Sequence, residues 1–75
     1  MTKLPRISSQ KLISILLKLG FYFHHQTGSH IHLRHKTKEY LRVVIPNNKE
    51  TLAPKTLKTI LKQAELTVEE LRNLL

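Results

Sequence analysis

The sequence predicts an α+β domain of two layers, a three-stranded antiparallel sheet with helices packed on one face. Three observations predict it. Apolar residues recur at helical spacing in two separate segments, residues 12–19 and 57–64. Between them, Ile31 and Leu33, then Leu41, Val43 and Ile45, alternate with other residues in the manner of half-buried strands. Gly20, Gly28 and Pro46 stand at the joints, where turns and strand ends belong.

Leu4-Pro5-Arg6-Ile7 reads as an extended lead-in, and Ser8 or Ser9 supplies the oxygen that satisfies free amides at a helix start. Leu12, Leu16 and Leu19 then form an apolar stripe widened by Ile13, Ile15 and Leu17, with Gly20 as the C-terminal cap. The aromatic-rich segment from Phe21 to Gln26 reads as a first strand ending in a tight turn at Thr27-Gly28. A second strand runs from Ser29 to His35, and a polar turn over residues 36–39 leads to a third from Tyr40 to Ile45, stopped by Pro46. Residues 47–50 are loop by composition. From Pro54 a second helix buries Leu57, Ile60, Leu61 and Ala64. Thr67 and Glu70 match a capping box, so a short last helix carries Leu71 and Leu74. The resulting α-β-β-β-α order, with its short extra C-terminal helix, is that of double-stranded-RNA-binding domains, which engage RNA by shape and backbone contacts.

With 75 residues the chain is expected to form one domain, residues 1–75, with a compact core. The hydrophobic content of 40% is too high for a disordered tail, and the absence of cysteine removes disulfides and thiolate metal sites. The N-terminal residues hold no apolar run of signal-peptide type, and no stretch approaches a membrane span. The expectation is a soluble cytoplasmic protein with no membrane partner. Thirteen Lys and Arg against five Asp and Glu give a formal charge of +8. Glu39 is the only acid before Glu50, so nearly the whole first two-thirds is positive. Such a balance points to a polyanionic partner rather than to a surface that only aids solubility.

Residues 27–35, Thr-Gly-Ser-His-Ile-His-Leu-Arg-His, read as the site. Successive strand side chains point to opposite faces, so Ile31 and Leu33 face the core while His30, His32 and Arg34 share the free face. Five histidines fall between positions 24 and 35. A zinc site built from His30, His32 and a cross-strand His24 or His25 would need further fixed ligands, and the segment offers no Cys and no acid to complete or orient them. No metal and no cofactor are therefore expected. His24, His25 and His35 read as surface or phosphate-contacting residues. Lys11 and Lys18 share the outer side of the first helix, and Lys55, Lys58 and Lys62 one side of the second; without paired acids they suit phosphate contact better than a merely solvated face. Tyr22 and Tyr40 offer rings for base stacking, although strand tyrosines more commonly pack against neighbours.

The chain resembles the HicA-type (YcfA-like) mRNA interferase toxins of type II toxin–antitoxin systems. The residues that carry the resemblance are Leu19-Gly20-Phe21, Gln26-Thr27-Gly28-Ser29-His30, Val44-Ile45-Pro46 and the helix wording from Thr56 to Ala64. The resemblance implies a double-stranded-RNA-binding-like fold, metal-independent endoribonuclease activity on mRNA that inhibits translation, and neutralisation by a HicB-type antitoxin. It places the family's catalytic histidine on His30. Gly28 and Ser29 of the same motif, with the helix lysines, are the expected RNA-binding positions. The chain departs from the family pattern in two places. Asn48 stands where the family often has an accessory histidine, and Lys55 where it often has glycine.

RNA cleavage by the substrate's own 2′-OH needs a base, a cation near the phosphate and an acid for the leaving 5′-oxygen. Imidazole, with an ordinary pKa of about 6.5, is populated in both forms near neutral pH and suits the first and last tasks. His30 is expected to be base or acid, His32 the accessory imidazole, and Arg34 the cation that stabilises charge developing on phosphorus. The competing reading is a non-catalytic RNA-binding module of the same fold, in which these side chains only hold phosphates.

Overall fold

The computed structural model describes residues 4–47 and 50–75, in the order α1 (Ser9–Lys18), β1 (Phe21–Thr27), β2 (His30–His35), β3 (Arg42–Pro46), α2 (Pro54–Gln63) and α3 (Val68–Leu74). The three strands form one antiparallel sheet in sequence order β1-β2-β3, with the helices on one face, as the sequence predicts. Asn48 lies outside the described residues.

Between the two candidate serines, Ser8 is the cap of α1: its hydroxyl accepts the Lys11 backbone N–H at 3.2 Å. Ser9 turns inward, is fully buried, and donates to the Pro46 carbonyl at 2.6 Å. That bond fastens the start of α1 to the end of β3. The Leu52 N–H donates to the Ile7 carbonyl, and an isolated bridge joins Ser8 to Thr51, so the lead-in is held against the segment entering α2.

Leu12, Ile15 and Leu16 of α1, Leu33, Leu41, Val43 and Ile45 of the sheet region, and Leu57, Ile60, Leu61 and Ala64 of α2 form a single buried cluster. Each fully buried aliphatic side chain contributes roughly 1.5–3 kcal/mol of apolar burial. α3 opens with the predicted capping box, Thr67 and Glu70 each bonding the other's backbone N–H. It seals the core through Leu71, whereas Leu74, its last residue, is 43% exposed. α2 ends at Ala64, with Glu65 at φ 55° and the Leu66 N–H bonded back to the Leu61 carbonyl. Among the described residues no helix is long and apolar enough to cross a membrane.

Two boundaries differ from the sequence expectation. The β1–β2 loop is Gly28-Ser29, one residue later than expected, because Thr27 pairs with His30 and remains in the strand. β3 begins at Arg42 and includes Pro46, whose carbonyl serves Ser9 and whose missing N–H costs nothing at the strand's end. Phe23 lies opposite Leu33 on edge strand β1, yet 56% of it stays exposed, since edge position leaves it only partly covered.

Candidate functional site

The face of the sheet turned away from the helices carries the residues that strand parity assigns to it. His32 and Val44 are cross-strand partners, as are Arg34 and Arg42, His30 and Pro46, and Tyr22 and Arg34. Register shifts between Phe23 and His25, so the extra residue His24 is accommodated by an irregularity of β1 and His25 becomes the partner of His32. The cross-strand imidazole left open between His24 and His25 by sequence reasoning is thus His25. Counting back from the two-residue turn would have found it, since Thr27 opposite His30 puts His25 opposite His32.

The rings then form a continuous series. His25 stacks on His32 with centroids 4.1 Å apart and planes within 13°, and His24 meets His25 edge-on at 4.9 Å. The Nδ1 atoms of His24 and His25 lie 2.7 Å apart, so one donates to the other. His32 Nε2 lies 2.9 Å from the Thr27 hydroxyl. His32 is therefore held on two sides, by a ring and by a hydrogen bond. Its pKa is lowered from 6.5, first by loss of solvent and then by the charges of His25, His30 and Arg34, which favours the neutral ring.

His30 is exposed at the start of β2, immediately after the turn, and its imidazole makes no hydrogen bond among the described residues. Gly28, with φ +56°, supplies the left-handed residue the tight turn requires, and its carbonyl accepts from the Gln26 amide. The Asn47 N–H donates to the Ser29 carbonyl, so the chain leaving β3 runs beside the turn and His30. Along one strand face His30 and His32 are two residues apart, about 7 Å between Cα atoms. A phosphate group fits between imidazoles at that separation.

His35 has a different task from the surface or phosphate-contacting one expected of it. Parity puts it on the core side with Leu33. Its Nε2 bonds the Leu19 carbonyl at 3.0 Å, and its Nδ1 accepts from the backbone N–H groups of Thr37 and Lys38. Those bonds require the neutral Nε2–H tautomer, because the carbonyl can only accept and the amides can only donate. His35 joins the end of α1 to the β2–β3 turn and packs edge-on against Phe21.

Lys11, Lys18, Lys55, Lys58 and Lys62 are all exposed, but they belong to the helical layer rather than to the sheet face that carries the histidines. Tyr40 is also exposed and donates weakly to Glu65. Among the described residues no three His, Asp or Glu side chains converge in a way that would hold a metal ion. A hollow of about 340 Å³ lies between the lead-in and the start of α2, lined by Leu4, Arg6, Leu52 and Pro54 among others, and contains none of the histidines. A smaller one, of about 160 Å³, is lined by Tyr22, Arg34, His35 and Glu39.

A comparison with protein families matches residues 9–66 to the HicA toxin of bacterial toxin–antitoxin systems. The match spans α1 through the end of α2, including all three strands and the β1–β2 turn. A search of curated proteins finds no match.

Proposed function

The chain belongs to the HicA toxin family, and from that premise we propose that it is a metal-independent endoribonuclease that cleaves mRNA with His30 as its principal catalytic residue. The observation that carries the reading is the position of His30. It closes the Gly28-Ser29-His30 motif inside the family match, and it stands exposed, without a hydrogen bond among the described residues, two residues from a second imidazole on the same strand face.

In the proposed reaction an imidazole removes the proton of the ribose 2′-OH, and the oxygen attacks the adjacent phosphorus. The bond from phosphorus to the 5′-oxygen breaks, and that oxygen takes a proton from the second imidazole. The products are a 2′,3′-cyclic phosphate and a free 5′-hydroxyl. His30 is free to approach the substrate as base or acid, while His32, anchored by Thr27 and His25, is the accessory imidazole. Arg34, two residues further along the same face, supplies positive charge to the phosphate as negative charge builds on it. Gly28 and Ser29 bring backbone close to the RNA at the turn, and Lys11, Lys18, Lys55, Lys58 and Lys62 hold flanking phosphates.

A family of this kind pairs with an antitoxin, and a HicB-type partner carrying acidic groups is the proposed inhibitor. The +8 charge favours such a partner, and covering the sheet face would block His30 while neutralising part of that charge. Residues 1–75 act as one domain in this reading, in the cytoplasm where mRNA is found. Leu71 supports it, since α3 lies beyond the family match yet buries that leucine in the same core.

The test is cleavage of a long RNA by purified protein in EDTA, comparing wild type with His30→Ala and verifying by circular dichroism that both are folded. Cleavage that persists in chelator and disappears in the folded variant is the expected result. Intact RNA bound equally by both proteins would replace the enzyme with a binding module.

A further inference from the structure

We infer that the hollow lined by Tyr22, Arg34 and Glu39 is a base-recognition pocket that accepts guanine from the RNA bound along the sheet face. The inference rests on the reading of that face as an RNA site and adds to it the identity of a nucleotide. Three features place it. Tyr22 and Arg34 are cross-strand partners on the open face, so a ring and a guanidinium lie side by side at the rim of one cavity. The cavity, at about 160 Å³, suits a single planar heterocycle better than a larger ligand. Arg34 is four residues along β2 from His30, roughly 13 Å, a distance of about two nucleotides on an extended strand.

The chemistry selects the base. Glu39 is the only acidic residue before Glu50, and it lines the same hollow as Arg34. Neither side chain makes an ion pair or hydrogen bond among the described residues, so both are available to a ligand. A carboxylate in an otherwise positive half of the chain weakens phosphate binding, and its placement makes sense if it reads a donor. Guanine presents two adjacent donors, N1–H and the N2 amino group, that the Glu39 carboxylate accepts together, which leaves Arg34 to the phosphate. Adenine and cytosine give the carboxylate one amino group each, and uracil only N3–H. Tyr22 provides the face on which the ring stacks.

The experiment measures binding rather than cleavage, so that it does not depend on His30 being catalytic. His30→Ala protein is titrated by fluorescence anisotropy with eight-nucleotide uridine-rich RNAs that differ only in one central G, A or C. The G-containing RNA is expected to bind at least ~5-fold more tightly than the A-containing one, the low end for a bidentate base contact. In the His30→Ala/Glu39→Gln double variant that ratio is expected to fall to about one, even as removal of a negative charge tightens binding to every RNA. Equal binding of the G and A oligonucleotides by the parent, or an unchanged ratio in the double variant, would overturn the pocket. Guanine preference in a protein whose wild type cuts no RNA would instead leave the pocket standing and count against the ribonuclease reading.

Discussion

The imidazole of His35 fills the space that a side chain on Gly20 would need: a Cβ built at position 20 would lie 2.9 Å from His35 Nε2. Gly20 also has φ +100°, outside the range that L residues adopt readily, so the contact and the backbone impose the same requirement. Gly28 differs, because at φ +56° it occupies the left-handed region with nothing within 4 Å of the place a Cβ would take. Gly28→Ala is therefore expected to cost about 1–2 kcal/mol, the left-handed penalty alone. Gly20→Ala should cost more, on the order of 3 kcal/mol, since strain and displacement of His35 add to it. Urea unfolding of the two variants compares them directly. Equal losses would show that His35 moves aside without penalty.

His35 and His30 should separate stability from activity. Removing the His35 ring breaks the bond to the Leu19 carbonyl and leaves the Thr37 and Lys38 amides without their acceptor. With about 1 kcal/mol for each net hydrogen bond, His35→Ala is expected to lose about 2 kcal/mol or more. His30→Ala removes an exposed ring that bonds nothing among the described residues, and its stability should stay within about 0.5 kcal/mol of wild type. Cleavage should follow the opposite order once both variants are assayed well below their unfolding transitions. Nitrogen-detected NMR of the imidazoles supplies a second check, with His35 expected as the Nε2–H tautomer.

The periodicities explain why the fold was legible. Leu57, Ile60, Leu61 and Ala64 return to one side of a helix, and Leu41, Val43 and Ile45 to one side of an extended chain, so burial follows from spacing alone. The same parity brought His30, His32 and Arg34 to one face, and applied one step further it assigns His35 to the core side. What spacing does not reveal is the irregularity at His24, which depends on two strands adjusting to each other and puts Phe23 rather than His24 opposite Leu33. Nor does it reveal the hollow at Glu39, because a turn's path determines which strand residues it approaches.

The pKa of His32 ties the site to pH. Its folded value lies below the ordinary 6.5, so the unfolded chain binds more protons than the native one between the two values. Stability contributed by this group is full above about pH 6.5 and falls as pH drops toward and through the lowered folded value. Loss of solvent is the first cause, and electrostatic repulsion from His25, His30 and Arg34 follows. In a proton-NMR titration Arg34→Gln should move the His32 midpoint upward, because it removes one of those charges. A midpoint that stays fixed would mean that the Arg34 charge has no part in setting it. At more acid pH Glu70 behaves in the opposite sense chemically but with the same outcome. Its carboxylate, held below 4.5 by the backbone and hydroxyl of Thr67, loses its contribution to the start of α3 as pH falls through that lowered value.

The helix lysines and the histidine row lie on different layers, which makes salt dependence a test of how RNA crosses the molecule. Gln63, next to Lys62 on α2, reaches round to accept the Val44 N–H of edge strand β3, and Val44 is the cross-strand partner of His32. An RNA strand passing over that edge would meet α2 on one side and the histidines on the other. Each phosphate contact on single-stranded RNA contributes about 0.7 to the slope of log K against log salt. Replacing Lys55, Lys58 and Lys62 together with alanine should therefore reduce the slope by about 2 if all three hold phosphates. His30→Ala, which removes at most one phosphate contact, should lower the slope by no more than about 0.7. A triple variant with the wild-type slope would confine RNA to the sheet face and remove α2 from the path.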